Sequence, residues 1–194
     1  MTFLIQKEVS VFWNRTFLLH LECTLHWPRT RALFGLGLTL LFWLSFAFSA
    51  QALTVSGTLY NNTRWTKSMS PIILSGDVTV DSGVTLTIDA GVVVQAATSD
   101  SQASGANTSR VELIVKGTLN AVGSASERVV FKSSSTSRGS WYGIRVLSTG
   151  QLNLNLTRVE SAVYGVDSDG ATDIVTADIT NSSSYGLYIR AGKF

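Results

Sequence analysis

Short runs of alternating apolar and polar residues fill the chain from Leu53 onward. Ile72-Ile73-Leu74, Val78-Thr79-Val80, Leu86-Thr87-Ile88 and Val92-Val93-Val94 come first. Glu112 to Val115, Thr118 to Ala121 and Val129-Val130-Phe131 follow. Runs this short with a period of two are read as strands. Between them lie Ser75-Gly76-Asp77, Asp81-Ser82-Gly83 and Asp89-Ala90-Gly91, whose Gly and Asp accept the positive φ of tight turns. From Trp141 the pattern becomes a repeat. Tyr142-Gly143-Ile144 returns as Tyr164-Gly165-Val166 and as Tyr185-Gly186-Leu187, at spacings of 22 and 21 residues. Behind the first two triplets come Leu152/Leu154 and Ile174, and behind those Val159 and Ile179. Three short strands per turn of roughly 20-odd residues define a parallel β-solenoid.

One such coil cannot bury its own apolar side chains, but a stack of coils can, with like residue over like at about 4.8 Å. If Ile144 and Val146 point inward, the next coil sets Val166 over Ile144 and Asp167 over Arg145. The outward Arg-over-Asp pair favours that register by about 0.2–1 kcal/mol. Tyr142, Tyr164 and Tyr185 are expected to form an aromatic ladder. It serves either as corner packing or as an exposed strip for sugar rings. Ala97 to Arg110 and Ser133 to Ser140 are polar excursions, the first expected to project from a corner. About five coils are counted, the last incomplete.

The leader changes the picture of composition. Leu33 to Phe48 is almost wholly apolar, follows Arg29 and Arg31, and ends in Ala50-Gln51-Ala52. That is the grammar of a secretory signal peptide cleaved after Ala52, with a single membrane anchor as the rival. The resulting division is 1–52 as leader and signal peptide, 53–71 as an N-terminal cap segment, and 72–194 as the β-helix, truncated at its C-terminus. Trp65 and the residues up to Pro71 are the candidate cap. The whole chain carries a net charge of +2, but the 15 Lys+Arg include Lys7, Arg15, Arg29 and Arg31, and the 13 Asp+Glu include Glu8 and Glu22. Beyond the leader the charges balance, so electrostatics argue against nucleic acid as a partner. The one cysteine, Cys23, and both histidines, His20 and His26, also lie in the leader. The mature chain therefore has no disulfide, no Ser-His or Cys-His nucleophile pair and no imidazole metal ligand.

The run Gly76-Asp77-Val78-Thr79-Val80, Gly83-Val84-Thr85-Leu86-Thr87-Ile88 and Gly91-Val92-Val93-Val94 resembles the opening of secreted bacterial right-handed parallel β-helix proteins of the pectate-lyase-like kind. Lys116-Gly117-Thr118-Leu119-Asn120-Ala121-Val122-Gly123, then Val130-Phe131-Lys132-Ser133 and Trp141-Tyr142-Gly143-Ile144, carry the same resemblance. It spans about Trp65 to Tyr188. It implies an all-β, right-handed parallel β-helix, and a setting in which lyases, hydrolases, adhesins and surface-layer proteins all occur.

Enzymes of that kind carry clustered outward carboxylates as calcium ligands or acid/base pairs. Asp167-Ser168-Asp169-Gly170 with Asp173 is the densest acidic group here. It starts like a calcium loop, but Asp178 stands where the twelfth-position Glu belongs. It reads as a polar corner or as a calcium site. Asp77, Asp81 and Asp89 fall at successive turns and are expected on different sides, and Glu112, Glu127 and Glu160 form no evident pair. No catalytic, cofactor-binding or metal residue is assigned, and no cofactor is expected. The favoured reading is a secreted or cell-surface structural or binding module, adhesive or glycan-binding and not an enzyme on its own. The alternative is the N-terminal part of a β-helix polysaccharide lyase or glycoside hydrolase. Expected partners are an extracellular polysaccharide and, at the C-terminal edge, further coils or another chain; no membrane span is expected after cleavage. Terminal sequencing of secreted material is expected to read from Leu53, and recovery of Leu33 to Phe48 in membranes overturns this.

Overall fold

The computed structural model describes residues 52–190; the leader, its signal-peptide assignment and its cleavage site lie outside the described residues. Within them the alternating runs form thirteen strands. In order these are β1 (Leu53–Leu59), β2 (Thr63–Trp65), β3 (Ile72–Val80), β4 (Thr85–Ile88), β5 (Val93–Ala96), β6 (Glu112–Val115) and β7 (Thr118–Val122). There follow β8 (Val129–Ser133), β9 (Gly143–Val146), β10 (Gln151–Glu160), β11 (Tyr164–Ser168), β12 (Ala171–Thr180) and β13 (Tyr185–Ile189). Every ladder between them is parallel. The fold is a right-handed parallel β-helix. Among the described residues no helix is long and apolar enough to cross a membrane.

Three faces wrap the core. The first stacks the second half of β1 on that of β3, then β6, β9, β11 and β13. The second stacks β2, β4, β7 and the first halves of β10 and β12. The third runs from the first halves of β1 and β3 through β5 and β8 to the second halves of β10 and β12. Ser75-Gly76-Asp77, expected as a break, lies inside β3. The strand bends there from the third face to the first, its ladders stopping at Leu74 and resuming at Val78, so one long strand serves two faces. β10 turns the same kind of corner at Leu156, which has φ 51°.

Like stacks on like, as the repeat requires. Val78, Leu113, Ile144 and Val166 form one fully buried inward column, and Leu86, Leu119 and Leu152 form another. Val94, Phe131 and Val159 form the third. The expected register of Val166 on Ile144 and Asp167 on Arg145 is found. The segment 53–71, expected as the cap, enters the ladders as a first rung through β1 and β2, with Trp65 buried over Ile88. The coils close tightly enough that Gly143, at φ 126°, has no room for a side chain: a Cβ there would lie 1.7 Å from the Tyr164 carbonyl oxygen.

The interior changes character in the later coils. Ser168 follows Val80, Val115 and Val146 in its inward column, and its hydroxyl pairs with that of Thr172 at 2.7 Å. A groove of about 270 Å³ lies beyond them, lined by Thr172, Asp173, Ile174, Leu187 and Ile189. Leu119→Ala removes a side chain held in the middle of its column. It is expected to lower the unfolding free energy by about 2–5 kcal/mol in a denaturant titration.

Candidate functional site

The repeat that sets the fold also assembles the most unusual part of its surface. Tyr164 and Tyr185 occupy the same place on β11 and β13 and pair in register. Their rings stack with centroids 6.2 Å apart, and Tyr142, one coil earlier, lies 5.4 Å from Tyr164. The expected ladder is therefore present, and a fourth ring widens it. Tyr188 stands 5.8 Å from Tyr164 and 5.3 Å from Tyr185. The four rings make a plate whose outer members are open to solvent, Tyr185 at 56% and Tyr188 at 37%. Centroid distances of this size are those of favourable aromatic pairs.

A charged border runs along the plate. The Arg190 guanidinium lies 5.2 Å from the Tyr188 ring centroid. Its Nε and Nη2 donate to the two Asp169 oxygens, each at 2.7 Å, and this fork holds the Asp169 carboxyl below its ordinary range. Nη1 stands 2.9 Å from buried Asp167 Oδ1, close enough for an ion pair although the angle is not that of a hydrogen bond. The other Asp167 oxygen accepts the Tyr142 hydroxyl at 2.8 Å. Burial, then that bond to a carboxylate, pushes the Tyr142 phenol well above its usual value.

The acidic corner singled out in the sequence is thus divided. Asp167 and Asp169 share Arg190, while Asp173 lies in β12 opposite Asn153 on the second face. Among the described residues no group of three or more His, Cys, Asp or Glu converges as a metal site. Arg145 and Asp167 are register neighbours, but no ion pair joins them among the described residues. Arg145 turns back one coil, its Nη1 3.6 Å from Glu112 Oε2.

A second cluster overturns an expectation. Asp77 and Glu112 form no evident pair in the sequence, yet they precede stacked Val78 and Leu113 and stand side by side on β3 and β6. The Glu112 N–H donates to Asp77 Oδ1 at 2.7 Å, and both side chains are buried. What buries them is the 97–110 excursion, which lies over the first face and does not project from its corner. Ser104 Oγ donates to Asp77 Oδ2 at 2.6 Å, and the Asn107 N–H donates to Glu112 Oε1 at 2.7 Å. Gly105, at φ 71°, passes directly above: a Cβ there would lie 2.7 Å from Glu112 Oε2 and 2.8 Å from Asp77 Oδ2. Burial raises the Asp77 carboxyl above its ordinary range and pushes Glu112 up to about 6.

Sequence reasoning missed Tyr188, Arg190 and the Asp77–Glu112 pair. For the first, counting three residues on from Tyr185, as Asp167 is from Tyr164, would have found Tyr188. For the pair, 35 residues separate acids that a plain coil would hold near 21, because the excursion lies between them.

The chain matches the family described as a pectate-lyase like beta helix domain over residues 57–183, more than half its length, and belongs to it. No curated protein and no solved structure matches the chain.

The Glu112 carboxyl sets a pH dependence. Its folded value of about 6 lies above the ordinary 4.5, so the native state binds the extra proton. Stability is then greatest below about pH 4.5 on this account and falls as pH rises through 6, by roughly 2 kcal/mol in full. In denaturant titrations at pH 4 and pH 7.5, Glu112→Gln is expected to lose most of that decline, the remainder belonging to the raised Asp77 carboxyl.

Proposed function

We propose that this β-helix is a secreted or cell-surface binding module that takes glycan chains along the tyrosine plate. The observation that carries the reading is the plate itself: the Tyr164 ring packed against Tyr142, Tyr185 and Tyr188, the last two exposed, beside the Asp169–Arg190 fork. Flat aromatic faces suit the apolar faces of sugar rings, and a bidentate fork beside them suits hydroxyl groups, which both donate and accept. Rungs repeating at about 4.8 Å suit a polymer better than a single small molecule. The edge formed by β12 and β13, with Leu187 at 47% exposure, is on this reading the place for a further coil or another chain.

A second reading has its own support. A carboxyl held near 6 beside another carboxyl is the equipment of a general acid, as a β-helix lyase or glycoside hydrolase would need. It ranks lower because Ser104, Asn107 and Gly105 occupy the space over both groups.

Affinity electrophoresis of the protein through a panel of extracellular polysaccharides, with and without calcium, tests both readings. Retardation is expected in at least one gel, and Tyr185→Ala and Tyr188→Ala are each expected to weaken it at least about fivefold, the equivalent of ~1 kcal/mol. Retardation unchanged in both variants, or none anywhere on the panel, overturns the plate as the ligand surface. Turnover of a polysaccharide that vanishes in Glu112→Gln favours the enzyme.

A further inference from the structure

The 97–110 segment is held to the helix by carboxyl groups and hardly at all by apolar packing. None of its side chains is fully buried, and only Ala97, at its root, packs against the core. Its grip is polar. Asp100 Oδ1 accepts the N–H groups of Gln102 at 2.9 Å and Asp77 at 3.1 Å, and Asp100 Oδ2 accepts that of Ser104 at 2.9 Å. The Ser104 hydroxyl and the Asn107 N–H then reach Asp77 and Glu112.

The charges facing Glu112 do not balance when every acid is ionised. Asp77 of β3 lies beside it, and Asp100 of the segment faces Asp77. From β9 comes a single cation, Arg145, at the long distance of 3.6 Å, and the Tyr142 phenol just before β9 is neutral. Arg110, at the segment's other root, turns away and donates to the Gly139 carbonyl at 2.7 Å. Glu112 Oε2 is fully buried and accepts no hydrogen bond, whereas both oxygens of Asp77 and the other oxygen of Glu112 accept one. A buried carboxyl oxygen without a donor is the place where a proton is best kept.

We propose that residues 97–110 are a proton-latched strap: with a proton on Glu112 the strap lies closed over the Asp77–Glu112 pair, and loss of that proton favours the opened strap, in which both groups meet water. Closing removes two carboxyls from water, which costs far more when both are charged than when one is neutral. Opening puts that hydration back and breaks only hydrogen bonds that water replaces. It uncovers a carboxyl-lined trough on the first face, beside Arg145 and in line with the tyrosine plate. The inference stands independently of any glycan.

The size of the effect follows by linkage. A closed value of about 6 against an ordinary 4.5 lets the opening constant rise by about 30-fold between acid and neutral pH. The raised Asp77 carboxyl acts in the same direction. The test is native-state hydrogen exchange of the Gln102, Ser104 and Asn107 amides between pH 4 and pH 7.5, corrected for the intrinsic pH dependence of exchange. A rise of about 30-fold in opening is expected for the native sequence, at every pH by an opening far easier than that of the β4 and β7 amides. A much smaller rise is expected in Glu112→Gln, where only Asp77 of the pair is left to titrate. PH-independent opening, or an unchanged slope in Glu112→Gln, overturns the proposal. Should Glu112→Gln fail to fold, titration of the native protein's Glu112 carboxyl carbon by NMR decides the matter. A midpoint near 6 that coincides with the exchange change supports the latch, and a midpoint in the ordinary glutamate range refutes it.

Discussion

In-register parallel stacking is the constraint on which everything else here depends. Each inward residue must match the one below it in size and polarity, because a coil has no other surface to bury. Val78, Leu113, Ile144 and Val166 satisfy that demand in one column, and Leu86, Leu119 and Leu152 in another. The same rule fixes the outward residues without choosing them. Tyr164 lies over Tyr185 because Val166 lies over Leu187. An aromatic plate is thus a consequence of core register, and its rings need no separate device to bring them together.

Polar groups in the buried regions are compensated by their neighbours to different degrees, and Thr157 Oγ1 not at all. Ser168 breaks an inward valine column, and the Thr172 hydroxyl answers it. Asp167 is buried between Tyr142 and Arg190. Asp77 and Glu112 are compensated less fully, by backbone amides, one hydroxyl and a distant guanidinium. That difference separates the two clusters chemically. The Asp167–Asp169–Arg190 group is an ion-paired border whose fork holds Asp169 below its ordinary range, while the Asp77–Glu112 pair is under-compensated and therefore sensitive to protons.

The fold was legible because its signal is periodic. Alternation marks the strands, the Tyr-Gly repeat marks the coil length, and together they put Val166 on Ile144. What was not legible depended on side-chain reach and on inserted chain. Register matches Arg145 with Asp167, the residue over it, but its long side chain points back to Glu112. The 97–110 excursion reads as an ordinary polar loop, since Ser, Asp, Gly and Asn look the same whether they face water or buried acids. Nothing local in Glu112 shows that Asp77 stands next to it, and the insertion hides the match by lengthening the coil. At Ser75-Gly76-Asp77 the turn chemistry does mark a change of direction, and the ladders pause between Leu74 and Val78, but the strand runs on through the bend.

The two clusters belong to one face, and the sequence of that face explains their order. Its outward column reads Thr79, Ile114, Arg145, Asp167 and Tyr188 from the first coils to the last. The strap covers the early coils, where the neighbouring positions are Asp77 and Glu112. The plate occupies the later coils, where the chain returns to its short repeat and no long excursion separates the rungs. Arg145 stands between them, over Ile114 and under Asp167, with its charge directed to the strap side. Lifting the strap from the early coils beyond its root at Ala97 would therefore lengthen the exposed polar surface while the column of Val78, Leu113, Ile144 and Val166 stays in place. Because the core columns are independent of what lies outside them, this face can change its accessible length while the helix beneath it stays unchanged.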